Sequence, residues 1–284
     1  MTRCSRCRFL MVLSMGLIFL SAMIFAGPVS AQDKVLSMAT TTSTDNTGLL
    51  DYLAPQFKQD TEIELKWVAV GTGQALELGK NCDVDVLLVH APAAEKKYVE
   101  ESYGVDRREI MYNDFIIIGP PSDPAGIKGL PASDALNKIA EKKATFVSRG
   151  DNSGTHKKEQ SLWKGAGLAV PDKAPWYIQT GQGMLATINV AAERNGYTLT
   201  DRGTYITYED NMKGKPPLVI LVEGDPGLFN QYSVIPVNPK KCPNVKYDLA
   251  QEFSKWMASL ATQKLIGDFK LKGKQLFTPN AKSQ

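Results

Sequence analysis

The segment Ser148-Arg149-Gly150-Asp151-Asn152-Ser153-Gly154-Thr155-His156 gathers a guanidinium, the hydroxyls of Ser153 and Thr155, and two glycines at the start of a helical pattern. A helix start presents backbone N–H groups without intrahelical partners and carries a partial positive charge. With a permanently charged Arg beside it, the chemistry on offer is capture of an anion. Asp151 can pair with Arg149, either as an ordinary surface ion pair or as a brace that leaves the other guanidinium donors free.

Three further segments share this design of a strand running into small hydroxyl and glycine residues ahead of a helix. They are Met38-Ala39-Thr40-Thr41-Thr42-Ser43, Ala69-Val70-Gly71-Thr72-Gly73-Gln74 and Thr180-Gly181-Gln182-Gly183-Met184. Alone, the Thr40-Thr41-Thr42-Ser43 run reads as a β-branched strand end entering a helix cap. Four such turns, two in each half of the chain, describe a cleft whose walls present donors. Each hydrogen bond to a charged group contributes about 1.5 to 3 kcal/mol, so several of them with one Arg suffice for a small dianion.

Other constellations are weaker. His156 near Ser153 and Asp151 suggests a hydrolase, but triad members converge from separate parts of a fold rather than crowding one turn. His90, closing an apolar run, reads as a satisfied buried or hinge residue, and no His or Cys spacing describes a metal site. Gly181-Gln182-Gly183-Met184-Leu185-Ala186 fits a dinucleotide fingerprint, with Asp201 at the required distance. A nucleotide-dependent enzyme is therefore the distant alternative.

The elements that must position these turns alternate between β-rich runs and helical patterns, which describes an α/β fold with mostly parallel sheets. Runs fall at residues 35 to 39, 63 to 70, 84 to 90, 115 to 118, 145 to 148, 176 to 179, 218 to 222 and 233 to 237. Helical patterns fall at residues 93 to 103, 133 to 143, 153 to 164, 184 to 194 and 247 to 269. In the last, Leu249, Phe253, Trp256 and Leu260 have core spacing. Leu49, Leu50, Leu53 and Phe57 mark another helix, where Pro55 predicts a break or kink at a cost of about 3 kcal/mol.

The N-terminal end reads as a cleaved secretory leader over residues 1 to 31: Arg3, Arg6 and Arg8, an apolar stretch, then Val29-Ser30-Ala31 before Gln32. Removing it lowers Lys+Arg from 33 to 30 against 30 Asp+Glu, so the exported chain is near neutral. That argues against a nucleic-acid surface. Cys4 and Cys7 leave with the leader; Cys82 and Cys242 remain as one long-range disulfide or two buried thiols, the disulfide being preferred. Crossings between two lobes are expected near residues 112 to 118 and 223 to 232.

Taken together, Thr40-Thr41-Thr42-Ser43, Val70-Gly71-Thr72-Gly73-Gln74-Ala75-Leu76, the run from 85 to 90, Tyr112-Asn113-Asp114, the Arg149 segment and the run from 197 to 204 resemble the extracellular tungstate-binding proteins of bacterial ABC transporters. The resemblance implies a two-lobed type II periplasmic-binding-protein fold, with residues 32 to 114 and 230 to 284 in one lobe and 115 to 229 in the other. It implies that Thr40, Thr41, Thr42, Ser43, Gly71 and Thr72 contact the oxyanion from the first lobe, and Arg149, Ser153, Gly154 and Thr155 from the second. It further implies a monomeric periplasmic receptor for tungstate or molybdate that serves a membrane permease, without cofactor or catalysis. The Arg-x-Asp-x-Ser-Gly-Thr pattern is also similar to that of phosphate receptors, which keeps phosphate or another tetrahedral oxyanion as the alternative ligand. Unprotonated tungstate and molybdate call for donors only, whereas phosphate benefits from an acceptor.

Overall fold

The structure, a computed structural model, describes residues 34 to 282; the expected leader, with Cys4 and Cys7, lies outside the described residues. The chain begins with β1 (Lys34–Thr41), the single turn α1 (Thr42–Asp45), α2 (Leu49–Thr61), β2 (Ile63–Val70), α3 (Thr72–Lys80), β3 (Val86–Val89), α4 (Pro92–Glu100) and the long β4 (Arg108–Gly119). Next come α5 (Ala132–Lys142), β5 (Phe146–Ser148), α6 (Gly154–Gly165), β6 (Tyr177–Gln179), α7 (Met184–Glu193), β7 (Thr198–Asp201), α8 (Arg202–Asn211) and β8 (Val219–Val222). Then β9 (Phe229–Pro236), α9 (Tyr247–Ala258), α10 (Leu260–Asp268), the hairpin β10 (Lys270–Leu271) and β11 (Lys274–Gln275), and β12 (Thr278–Pro279) complete it.

β1 lies between β2 and β3, parallel to both, with Thr41 beside Val70 and Thr40 beside Leu88. This register brings the carboxyl ends of three strands together, where open α/β sheets place their ligands. β9 then pairs antiparallel with β3, and β4 with β9. At Asp114 β4 still faces Phe229 of β9, but from Phe115 onward it pairs antiparallel with β7 and β8. β5 and β6 form a separate parallel pair, so the carboxyl ends of Ser148 and Gln179 are neighbours.

The sheets are therefore mixed rather than mostly parallel. The physical reason is β4 and β9, which are joined to their neighbours by passes of the chain between two sheet regions rather than by the βαβ crossovers that enforce parallel pairing. The fold remains α/β and two-lobed. Alternate residues of each strand feed opposite cores: Leu36, Met38, Val86 and Leu88 meet α2 and α9, while Ala39, Leu87 and Val89 meet α3 and α4. In the second region, Phe115 and Ile117 join the core of Trp163 and Tyr197, and Ile116 and Ile118 that of Ile188 and Tyr205. Burial on both faces explains the continuous apolar runs.

Two helix expectations change. α2 runs through Pro55 unbroken, because Pro55 is exposed and the carbonyl it leaves without a partner can bond to water. The pattern at 247 to 269 divides at Ser259, whose side chain caps α10 by accepting from Thr262 N at 3.2 Å. Phe253 is buried, with Leu249 and Trp256 packed on the core, but Leu260 opens the new helix at 84 % exposure. Cys82 and Cys242 form a disulfide with Cα atoms 5.4 Å apart, tying the end of α3 to the loop after β9.

Candidate oxyanion site

At the end of β1, Thr40 is fully buried and its hydroxyl donates to Leu88 O at 2.8 Å. It supports the turn from below, its hydroxyl proton directed at that carbonyl. Thr41 caps α1, its Oγ1 accepting from Thr44 N at 3.3 Å. Thr42 and Ser43 are the exposed hydroxyls of the turn. Gly71 caps α3 beside them, and because the first intrahelical bond runs from Ala75 N to Gly71 O, the Thr72 N–H precedes the ladder.

The second group repeats the device. Ser153 caps α6 by accepting from His156 N at 3.3 Å, and Lys157 N begins the ladder, leaving the N–H groups of Gly154 and Thr155 ahead of it. Arg149 Nη2 donates to Asp151 Oδ2 at 2.5 Å, while Asp151 Oδ1 accepts from Ser153 N at 3.1 Å. Burial pushes the Asp151 carboxyl up, but the donors of Ser153 and Arg149 outweigh it and hold it below its ordinary value. Asp151 is therefore an ionised brace. Gly150, at φ 60°, makes the bend possible; a Cβ there would also meet Gln179 at 2.8 Å. The Thr180 turn packs against this loop, Gly181 N donating to Arg149 O at 2.8 Å.

Each group is thus assembled locally, and among the described residues no hydrogen bond or ion pair joins one to the other. What connects them is the strand pair β4 and β9. Lys158, one turn into α6, donates from Nζ to Phe229 O at 3.1 Å where β9 begins.

A family model described as PBP superfamily domain matches residues 28–260. The tungstate-binding protein TupA of Campylobacter jejuni is 55% identical over 242 residues, 85% of this chain and 90% of that protein. The chain belongs to the TupA family of the PBP superfamily. Among solved structures, the tungstate-binding protein TupA from Desulfovibrio alaskensis G20 is 69% identical, covering 88% of this chain and 100% of that one with a TM-score of 0.86. A tungstate ABC transporter structure from Geobacter sulfurreducens is 50% identical, covering 83% and 98%, with a TM-score of 0.71.

Two sequence alternatives lose their geometry in this TupA-family chain. His156 Nδ1 accepts from Asn152 N at 3.0 Å, so the ring braces the loop and offers no base to Ser153, which itself accepts from His156 N. Asp201 turns both carboxylate oxygens onto Thr204 N and Oγ1 as the cap of α8, rather than standing free at a strand end for a ribose. Arg202 beside it forks onto Asp114 through Nε and Nη2, both at 2.5 Å, clamping α8 to β4 where β4 changes partners.

Sequence reasoning missed Asn113, Asn230 and Tyr232, which lie beneath the Thr41 turn. Asn230 Nδ2 donates to Asn113 Oδ1 at 2.8 Å and to Tyr232 Oη at 3.3 Å. The available signal was Asn113 itself, a polar residue at a buried strand position in the quoted Tyr112-Asn113-Asp114 motif. Its partner is 117 positions away, beyond any spacing rule.

Proposed function

We propose that this protein is a periplasmic receptor that takes up tungstate, with molybdate as a second ligand, and delivers it to the permease of an ABC importer. The observation that carries this reading is the Arg149 loop: a guanidinium fixed by an ionised Asp151, followed by a helix start with free N–H groups, in a TupA-family chain. Because both Asp151 oxygens are engaged by Arg149 and Ser153, the carboxylate is held as a brace for the guanidinium, and the donor set around it suits an unprotonated oxyanion.

The lobes in this proposal are residues 32 to 114 with 230 to 284, and 115 to 229. The change of β4 partner between Asp114 and Phe115, with Phe229 opening β9, supports those limits. Closure about β4 and β9 brings Thr41, Thr42, Ser43, Gly71 and Thr72 toward Arg149, Ser153, Gly154 and Thr155. The protein acts as a monomer, performs no catalysis, and reaches the periplasm through its leader.

Thermal unfolding with tungstate, molybdate, sulfate, phosphate and NAD tests the reading. Tungstate and molybdate are expected to raise Tm, and the others to leave it unchanged. Stabilisation by NAD alone, or by phosphate in preference to tungstate, overturns it.

A further inference from the structure

His90 follows β3 beneath the Thr41 turn, stacked on Tyr232 with ring centroids 4.7 Å apart. Its Nδ1 is 2.9 Å from Asn230 Oδ1, and its Nε2 is 3.0 Å from Thr41 Oγ1 and 3.1 Å from Ser43 Oγ. The amide nitrogen of Asn230 is spent on Asn113 and Tyr232, so its oxygen faces the ring. An oxygen can only accept, which places the ring proton on Nδ1 and leaves Nε2 a bare acceptor.

We propose that His90 is a positioning residue for the oxyanion: its Nε2, held as an acceptor by the Nδ1 bond to Asn230, orients the Thr41 and Ser43 hydroxyls and ties their turn to the strands β4 and β9. The inference rests on the oxyanion reading above. A hydroxyl has one proton and two lone pairs. Thr41 Oγ1 accepts from Thr44 N at 3.3 Å and shares a hydrogen bond with Thr44 Oγ1 at 2.6 Å. The Nε2 lone pair of His90 lies within reach of the Thr41 and the Ser43 hydroxyl protons. Ser43 Oγ is 3.1 Å from both Thr41 Oγ1 and His90 Nε2, so the exposed hydroxyl of the turn is fixed by the same acceptor.

Asn230, which holds Nδ1, is itself bonded to Asn113 and Tyr232. Linked bonds of this kind polarise one another and hold a single geometry. Burial pushes the His90 ring below its usual value, opposed by the Asn230 bond and by Asp201, so the neutral form the ring requires is also the favoured one. Asn113 on β4 and Asn230 on β9 join this network to the strands on which the lobes turn, so a ligand held by the Thr41 turn bears on both.

Two measurements test the proposal. The chain has 2 histidines, so a long-range 1H–15N NMR spectrum of the wild-type protein shows two imidazoles. His90 is expected as the Nδ1–H tautomer and His156, whose Nδ1 accepts from Asn152, as the Nε2–H tautomer; a proton on Nε2 of His90 overturns the proposal. By calorimetry with tungstate, His90→Leu should weaken binding about tenfold or more, while His90→Gln, whose amide oxygen replaces the Nε2 acceptor, should stay within about threefold of wild type. Unchanged binding by His90→Leu, or equal losses in both variants, overturns it. If His90→Leu does not fold, His90→Gln and the tautomer decide. A wild-type protein that does not bind tungstate would instead refute the functional reading, and the ligand-free NMR spectrum would still judge His90.

Discussion

Arg149 and Asp151 form a pair two residues apart in which the carboxylate accepts from the guanidinium at 2.5 Å and, with its other oxygen, from Ser153 N at 3.1 Å. The charge of the Arg149 loop is thus aimed by a neighbour that is itself fixed to the helix start. Arg149→Ala should weaken tungstate binding about 100-fold or more, since it removes a charged donor and releases Asp151 as an uncompensated anion. Arg149→Lys should recover little of this, because an ammonium cannot fork between Asp151 and a ligand. Calorimetry checks both, and losses equal to those of exposed Lys157→Ala would count against the assignment.

Lys158 differs from Lys157 in being half-buried and tied to Phe229 O. Burial pushes its pKa down, opposed by Asp225. It places a cation one turn inside α6 and links that helix to the start of β9. Lys158→Ala should weaken tungstate binding about tenfold and Lys157→Ala by less than about twofold. The contrast should shrink as salt is raised if the ammonium acts at a distance.

The disulfide closes a sequence separation of 160 residues, joining the end of α3 to the loop after β9. Cys82→Ser with Cys242→Ser should lower unfolding free energy by about 2 to 5 kcal/mol in urea and leave tungstate affinity unchanged. A loss of affinity at unchanged stability would show that the bond positions the Gly71 turn rather than constraining the unfolded chain.

The neutral His90 has a consequence for acid stability. Its folded pKa lies below the usual value, so as pH falls through about 6.5 the unfolded chain binds the proton first, and stability falls with pH. Glu95 and Glu159, buried and pushed upward, act in the opposite sense. Comparison isolates the histidine: between about pH 7 and pH 5, His90→Gln should lose less stability than wild type. Parallel loss in the two proteins would show that folding leaves the His90 pKa unshifted.

Much of this protein was determined locally. The turns at Thr41, Gly71, Arg149 and Thr180 were legible because capping and anion binding draw on the same short-range chemistry of small hydroxyls and glycines at helix starts. The Arg149 and Asp151 brace was legible for the same reason, its members being two residues apart. Tertiary structure decided what distant segments do to one another. It turned Thr40 inward onto Leu88, spent Asp201 on a helix cap, and left Leu260 exposed by breaking a helix at Ser259. It also made β4 serve two sheet regions and brought Asn230 to His90 across 140 residues. Periodicity reports which side of an element is apolar. Which partner meets that side, and where a hydroxyl's single proton goes, depends on contacts that only the folded chain makes.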